Sequence, residues 1–406
     1  MLLVGGEGPF ALTLILRAGR ESDSSESMRN TPHAHRNFNA VVDQLGGPER
    51  LEAEARATKA FQRPREVKCA VDMLQIVLAY CLGPEGLRLT AAWAEAVGIA
   101  AISNVAVLQR VRNCVPWLEA LVARMLLATE PRQPRRLPVT GDRLIRIVDA
   151  TVLAKADRVS RDAGGVWRVH AVLDLNDERF SVFELTDEKE GERLDRAAVI
   201  PGEIRIGDRA YLQPDRIAKV LAAGGDVVIR APCGGARWLD ADGELVDLPT
   251  LLALTERSVD TIDRPIWMGL SGTAGARPEP RVAVRLVALR KPPEATKKSL
   301  EKVFAEAKRR GSELQPGTII AAEWLILITS LPAAEFPAMV VGDLYRLRWR
   351  IETAFKHLKS GIGLTAPPGP DPRAAKAHIL SALLASLLTE PHLRGHLGNS
   401  PRRAVA

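Results

Sequence analysis

Cysteine and aromatic residues are scarce in this sequence of 406 residues, which contains 4 cysteines and 4% aromatic side chains. The cysteines form no C-x-x-C pair and no Cys/His pattern of the kind that binds zinc. A disulfide-stabilised module and a zinc module are therefore excluded. Thiols without partners are typical of a reducing compartment, so the sequence predicts a cytoplasmic location. The four are Cys69, Cys81, Cys114 and Cys233.

Long apolar runs are also absent, since none approaches the roughly 20 residues that a membrane-spanning helix needs. The apolar run Phe10–Leu16 has no basic region before it and two arginines after it, which is not the order found in signal peptides. Residues 21–36 are rich in serine and charged side chains. We therefore expect residues 1–40 to be a disordered extension, or upstream sequence before a start at Met28, and we expect no membrane partner.

An excess of acidic residues is absent too, because the formal net charge is +7. This charge favours a polyanionic partner such as DNA, although many basic proteins bind none.

Helical periodicity dominates residues 41–130. The apolar spacing of Glu66–Leu82 predicts a helix, a Gly-Pro-Glu-Gly break follows, and Ser103 is placed to cap a further helix that runs through Arg112. A helix-turn-helix variant would put Arg110 and Arg112 near a DNA backbone, whereas a plain helical bundle fits the pattern equally well. Residues 131–139, which are dense in proline and arginine, are predicted to be a linker.

Strand patterns replace helical ones after this linker, and they predict an α/β fold with a mixed sheet and helices on both of its faces. Residues 140–231 form the first part of this core, with strands at 144–149, 167–173, 180–186, 204–208 and 226–231 and a helix at 213–223. Residues 232–322 are predicted to be an insertion, and residues 323–388 to be the second part of the core, with a long helix from about 338 to 360. Helical periodicity is lost after Leu388, so residues 389–406 are predicted to be a truncated tail.

Two aspartates end strands of similar sequence. Ile145, Ile147 and Asp149 share one face of a strand, and the same alternation recurs at 204–208, which ends in Asp208. If the strands are neighbours, the carboxylates converge at one edge of the sheet and attract a divalent cation. The alternative is that each aspartate only caps the loop or helix that follows its strand.

A row of polar side chains marks the predicted helix at 338–360. Tyr345, Arg348, Glu352 and Lys359 fall within an arc of about 60° at helical spacing, beside an apolar stripe. The row combines a carboxylate for a metal, two cations for phosphate and a phenol that donates a hydrogen bond. The alternative is an ordinary amphipathic helix whose charged face is solvated.

These four residues match the Y-x2-R-x3-E-x6-K signature, and the chain thereby resembles the DDE transposases of the insertion-sequence-four family. Asp149-Ala-Thr is similar to the first aspartate motif of that family, and Gly207-Asp208-Arg209-Ala-Tyr211 to the second. The resemblance covers roughly residues 65–390. It implies a ribonuclease-H-like sheet that a mainly β insertion interrupts before the catalytic glutamate helix, with an N-terminal helical domain.

The resemblance also implies roles for single residues. Asp149, Asp208 and Glu352 are expected to be catalytic and to hold two Mg²⁺ ions, for which Mn²⁺ can substitute. Phosphate and DNA contacts are expected from Tyr345, Arg348, Lys359 and Arg209. Arg205 and Arg350 are further options, although surface arginines without a special role are equally expected, and His170 and His357 are interpreted as structural.

One tryptophan has two interpretations. Members of the family stack a flipped DNA base on a tryptophan of the insertion, and Trp324 is similar to it in context. The alternative is a core tryptophan on a buried strand.

The implied function is cleavage at terminal inverted repeats, formation and opening of a DNA hairpin, and strand transfer into target DNA, by a nucleoid-associated protein that dimerises when the two ends are paired. A transposase remnant that only binds DNA is the second hypothesis. A structure-specific nuclease of ribonuclease-H fold is the third, and the Tyr–Arg–Glu–Lys row argues against it.

Overall fold

The protein combines a helical bundle with a large mixed sheet. The computed structural model describes residues 31–397, apart from 84–85, 128–139, 155–165, 188, 234–236, 270–280, 312, 362–363, 365, 368 and 370. The predicted linker at 131–139 lies outside the described residues, as do residues 1–30 and 398–406. The predicted disordered extension is wrong for residues 31–40, because they belong to the first helix.

The bundle begins with six helices. Their apolar spacing and caps fix their limits: the Ser103 side chain accepts a hydrogen bond from Ala106 N at 3.2 Å, and Cys69 holds the N-cap position of the third helix. Because the apolar faces point inward, Leu74, Trp117 and Leu118 are fully buried. The helices are α1 (Thr31–Gln44), α2 (Pro48–Ala57), α3 (Ala70–Leu82), α4 (Leu87–Ala96), α5 (Asn104–Asn113) and α6 (Val115–Leu127).

The described strands form one mixed sheet of nine, in the order β3-β2-β1-β4-β5-β9-β8-β7-β6. Strands β1, β4 and β5 are parallel neighbours, and every other neighbouring pair is antiparallel. The strands are β1 (Ile145–Ala154), β2 (Val166–Asp174), β3 (Arg179–Asp187), β4 (Ile204–Gly207), β5 (Asp226–Arg230), β6 (Trp238–Leu239), β7 (Thr261–Gly269), β8 (Arg281–Arg290) and β9 (Trp324–Thr329). The predicted mixed sheet is thus confirmed.

Helices cover both faces of this sheet. One face, with Ile147 and Ile206, shares a continuous apolar core with the bundle. The opposite face, with Val148 and Ile229, packs against Ile217 of the helix α7 (Pro214–Ala222) and its neighbours.

The insertion differs from the expectation. Its described residues contain three helices besides three strands, so the prediction of a mainly β insertion is wrong: α8 (Leu248–Leu254), α9 (Pro293–Arg310) and α10 (Pro316–Ala322). Its strands continue the central sheet, because β9 pairs with both β5 and β8. The α9 helix ends where Gly311 adopts a left-handed φ of 62°, a conformation that glycine tolerates without strain.

The predicted long helix is two helices, α11 (Ala338–Arg346) and α12 (Trp349–Gly361). Around this junction four residues donate backbone hydrogen bonds three residues back instead of four: Leu347, Arg348, Arg350 and Ile351. This tightening breaks the helix, so Tyr345 and Glu352 lie on different helices.

The last helix, α13 (Pro372–Leu397), packs against α3, α5 and α6 and completes the bundle. The Arg112 guanidinium donates to Asp371 Oδ2 at 2.9 Å at the start of this helix. Arg112 therefore has the role expected in a plain bundle. The prediction that helical structure ends at Leu388 is wrong, because α13 continues to Leu397, and by its packing α13 belongs with the bundle.

Candidate active site

The first aspartate projects from β1. The Asp149 carboxylate accepts a hydrogen bond from Ala150 N at 2.9 Å and one from an Arg348 terminal nitrogen at 3.3 Å. Its side chain is 17% exposed. The carboxylate is thus held on the sheet face that α12 covers.

The second aspartate follows the neighbouring strand. Ile147 of β1 pairs in parallel with Ile206 of β4, so Asp149 and Asp208 come at the same level two residues later. Asp208 Oδ1 also accepts from Ala210 N at 2.8 Å and caps a 3₁₀ turn, Arg209–Tyr211. The capping role of Asp208 is therefore compatible with its expected role as a metal-binding carboxylate. A Cβ at Gly207 would lie 2.9 Å from the Tyr211 Cβ, so this position needs glycine.

The third expected catalytic carboxylate, Glu352, lies on α12. Glu352 is half-exposed and forms an ion pair with Arg348, whose guanidinium also binds Asp149. One cation thus lies between two of the three expected catalytic carboxylates.

These acids share one electrostatic environment. Burial raises the pKa of Asp149 to about 6; the Ala150 N–H and Arg348 oppose this rise, while the charges of Asp208 and Glu352 add to it. A buried carboxylate beside two others favours a neighbouring cation. Oxygen donors of this kind suit Mg²⁺ or Mn²⁺, and the Arg348 guanidinium supplies positive charge at that position.

The acids are not drawn together into a ready metal cage. Within the described ranges, no three His, Cys, Asp or Glu side chains form a group that could hold an ion. Asp149 and Glu352 both bind the Arg348 guanidinium, which lies between them.

The remaining residues of the predicted row lie around these acids. Tyr345 is buried at the end of α11, with the Arg348 guanidinium 5.9 Å from its ring centroid, and burial raises the pKa of its phenol. Lys359 is exposed on α12, and Arg209 is exposed next to Asp208. The break between α11 and α12 keeps Tyr345 and Arg348 in contact although they do not share one helix.

Trp324 lies in the core, with 2% of its surface exposed. The Arg290 guanidinium covers its ring, 4.2 Å from the centroid. This burial agrees with the alternative interpretation of Trp324 as a core residue on a buried strand. The indole would have to leave the core to stack on a base.

A buried ionic network beside β1 and β4 was not anticipated. Arg146 and Arg205 both pair with Glu203, and the side chains of Arg205 and Glu203 are fully buried. The Ile-Arg-Ile triplet that β1 and β4 share is the sequence feature that could have indicated this network. Arg205 thus binds protein groups and not DNA, and the network joins the strands whose register brings Asp149 and Asp208 to one level.

Two other residues have structural contacts. Arg350 forms an ion pair with Glu178. His170 is buried against the Thr186 hydroxyl at 2.9 Å, and burial lowers its pKa to about 4, which agrees with its interpretation as structural. Among the helices that the structure describes, none has the length and apolar character to cross a bilayer.

Acidic side chains that converge in this way are typical of the class of enzymes that transfer phosphoryl groups with divalent metal ions, and Asp149, Asp208 and Glu352 suit that class. Residues 140–388 match the family described as transposase DDE domain. The chain is also 37% identical to a putative transposase, InsL, of insertion sequence IS186A from Escherichia coli K12, over 92% of this chain and 98% of the relative. It shares the same identity, with the same coverage, with the transposase for insertion sequence IS421 of Escherichia coli. The chain therefore belongs to the DDE transposase family.

Proposed function

We propose that this transposase cuts DNA at the ends of its element and joins them to target DNA at the Asp149–Asp208–Glu352 site. The observation that carries the proposal is the shared environment of the three carboxylates, two of which bind the same guanidinium. We assign the core to the ribonuclease-H-like folds, because β3-β2-β1-β4-β5 has three antiparallel strands followed by two parallel additions.

Asp149, Asp208 and Glu352 would hold two Mg²⁺ ions, or Mn²⁺ in their place. When bound, these ions would lower the pKa of the attacking water or 3′-hydroxyl and stabilise the leaving oxygen. Each carboxylate contributes negative charge, and the charges of Asp208 and Glu352 both act on the pKa of Asp149.

Arg348 would serve two partners in succession. In the structure it pairs with both Asp149 and Glu352, and its guanidinium would be free for a phosphate if these carboxylates held another cation. The Arg348 guanidinium lies against the Tyr345 ring, and the exposed Lys359 and Arg209 would supply further positive charge for DNA phosphates. The same arginine would thus couple occupation of the acidic site to DNA capture.

The finer steps follow the family resemblance. We propose terminal inverted repeats as the substrate, a hairpin at the element end as the intermediate, and pairing of two ends by a homodimer. These proposals depend on the family signature of Tyr345, Arg348, Glu352 and Lys359.

Asp208→Asn tests the catalytic assignment. We expect cleavage of a terminal-repeat duplex in Mg²⁺ to fall by about 10²- to 10³-fold, because several kcal/mol of charge stabilisation would be lost. Asp242→Asn, which makes the same charge change on an exposed loop, is the control and should cleave as the wild type does. Full cleavage by Asp208→Asn would refute the triad. Wild-type protein that binds the repeats without cutting them would instead support a DNA-binding remnant.

A further inference from the structure

A cavity of about 960 Å³ lies between the insertion and the catalytic core. No Asp or Glu is among its described lining residues. Four cationic side chains line it: Arg209, Arg230, Lys291 and Lys302. Its volume is at the upper end of the range for sites that enclose small organic ligands, so it has room for a nucleotide unit. A cavity with this charge selects for polyanions.

The cavity lies beside the candidate active site, to which two of its lining arginines connect it. Arg209 directly follows Asp208, and Arg230 ends β5, where the β4–β5 pairing sets Gly207 opposite Ile229. A strand bound at the carboxylates would therefore have its next phosphates beside these two arginines.

The insertion supplies the far wall. Lys291 follows β8, and its ammonium donates to Ser299 Oγ at 3.0 Å and to Ala322 O at 2.9 Å. Two of its three donors are thus held by protein, which fixes the charge in place. Lys302 lies on α9, one turn beyond Ser299.

Lys291 and the other cations share this cavity without an acidic side chain among its described lining residues. Burial, together with the smaller effects of the charges of Arg230, Arg209 and Lys302, lowers the pKa of Lys291 to about 8. Like charges that repel one another are stabilised when an anion binds between them.

We propose that this cavity binds phosphate groups of the DNA strand adjacent to the carboxylate site, with Lys291 and Lys302 as the contacts that the insertion provides. The inference rests on the proposed function, because it takes DNA as the polyanion. The insertion would then hold the strand beside the carboxylate site.

Lys302→Gln is the test, since this lysine is exposed and its loss leaves the core intact. The measurement is binding of a labelled duplex with a single-stranded extension, without divalent metal, over a series of salt concentrations. We expect affinity to fall by about 3- to 10-fold and the slope of log K against log salt to decrease by about 0.7–0.9, as for the loss of one phosphate contact. Lys291→Gln should give the same decrease.

Lys297→Gln is the matched control, because Lys297 lies on the same helix roughly 140° around its axis from Lys302 and does not line the cavity. Its affinity and slope should equal those of the wild type. A wild-type slope for Lys302→Gln would overturn the proposal. A second outcome would also overturn it. If a deoxynucleoside triphosphate raises the melting temperature of the wild type but not that of Lys302→Gln, and the DNA-binding slope of this variant is unchanged, the cavity binds a free nucleotide instead of DNA.

The proposed catalytic triad and the proposed phosphate-binding cavity can be refuted independently. Loss of cleavage in Asp208→Asn with an unchanged slope in Lys302→Gln would overturn the cavity alone. Unchanged cleavage in Asp208→Asn with a reduced slope in Lys302→Gln would refute the triad and support the cavity.

Discussion

Arg348 binds Asp149 and Glu352 at the same time, and its charge offsets part of the cost of keeping Asp149 buried. The offset is incomplete, because the pKa of Asp149 stays raised to about 6, first through burial. Without bound metal, the protein therefore carries a destabilising negative charge at a position that the proposed function uses.

Asp149→Asn is expected to stabilise the metal-free protein. The folded-state pKa of about 6 lies above the unfolded value of roughly 3.9, so the ionised form disfavours folding. This cost is absent below about pH 4, grows as the pH rises to about 6 and is complete above it. Removing the charge should raise the free energy of unfolding near neutral pH by about 1–3 kcal/mol, measured by urea denaturation in EDTA.

The difference between Asp149→Asn and the wild type should disappear at about pH 3, where the Asp149 carboxyl is protonated in both the folded and the unfolded state. Asp242→Asn, on an exposed loop, should show no such change at either pH. An asparagine variant at position 149 that is less stable than the wild type near neutral pH would contradict the assigned burial cost.

At the scale of elements, the approach of α11 to the sheet sets the position of Tyr345. Gly342 of α11 faces Leu289 of β8, and a Cβ at this position would lie well inside van der Waals distance of the Leu289 Cδ1. Leu289 is 6% exposed, so it has little room to move.

Gly342→Ala is expected to lower both stability and cleavage. The gain in helix propensity is about 1 kcal/mol, whereas overpacking costs about 1–3 kcal/mol, so a net loss of up to roughly 2 kcal/mol should appear in denaturation. Displacement of α11 would also move Tyr345, one turn further along, and reduce cleavage of a terminal-repeat duplex.

Leu289→Val makes room for the added methyl group and tests the cause. The double variant should be less destabilised than the sum of the two single variants, because the residues are in contact. Strict additivity in a double-mutant cycle would show that this contact does not set the packing of α11.

The limits of prediction from sequence are clear at this scale. Strands β1 and β4 were predictable because aliphatic residues alternate up to each aspartate. The break after Arg346 was not, because no glycine or proline marks it and the change lies in backbone hydrogen bonds. Trp324 was ambiguous, since a core strand and a stacking platform share one apolar pattern. The pairing of β9 with β5 joins Thr329 to Val228, and such long-range contacts leave no local signal.

For the whole molecule, one apolar core links the bundle to a face of the sheet. Trp117 of α6, Ile147 of β1 and Leu384 of α13 belong to the same cluster. The bundle and the catalytic sheet should therefore unfold together.

Leu384→Ala is expected to destabilise the entire protein by about 2–5 kcal/mol, because Leu384 is completely buried. Calorimetry should show a single transition, shifted to lower temperature. Arg373→Ala, an exposed position of α13, should leave the transition where it is. Two separate transitions, of which only one shifts, would mean that bundle and sheet unfold independently.

The contact of α13 with the bundle also affects how the chain is made. Arg112 and Asp371 are 259 positions apart, so the ribosome must release most of the catalytic core before α13 can dock. Until then the apolar faces of α3 and α6 lack their last partner and are open to chaperones or to aggregation. Contacts of this separation also slow folding. Biosynthesis therefore imposes an order, in which the helices made first are among the last to reach their final packing.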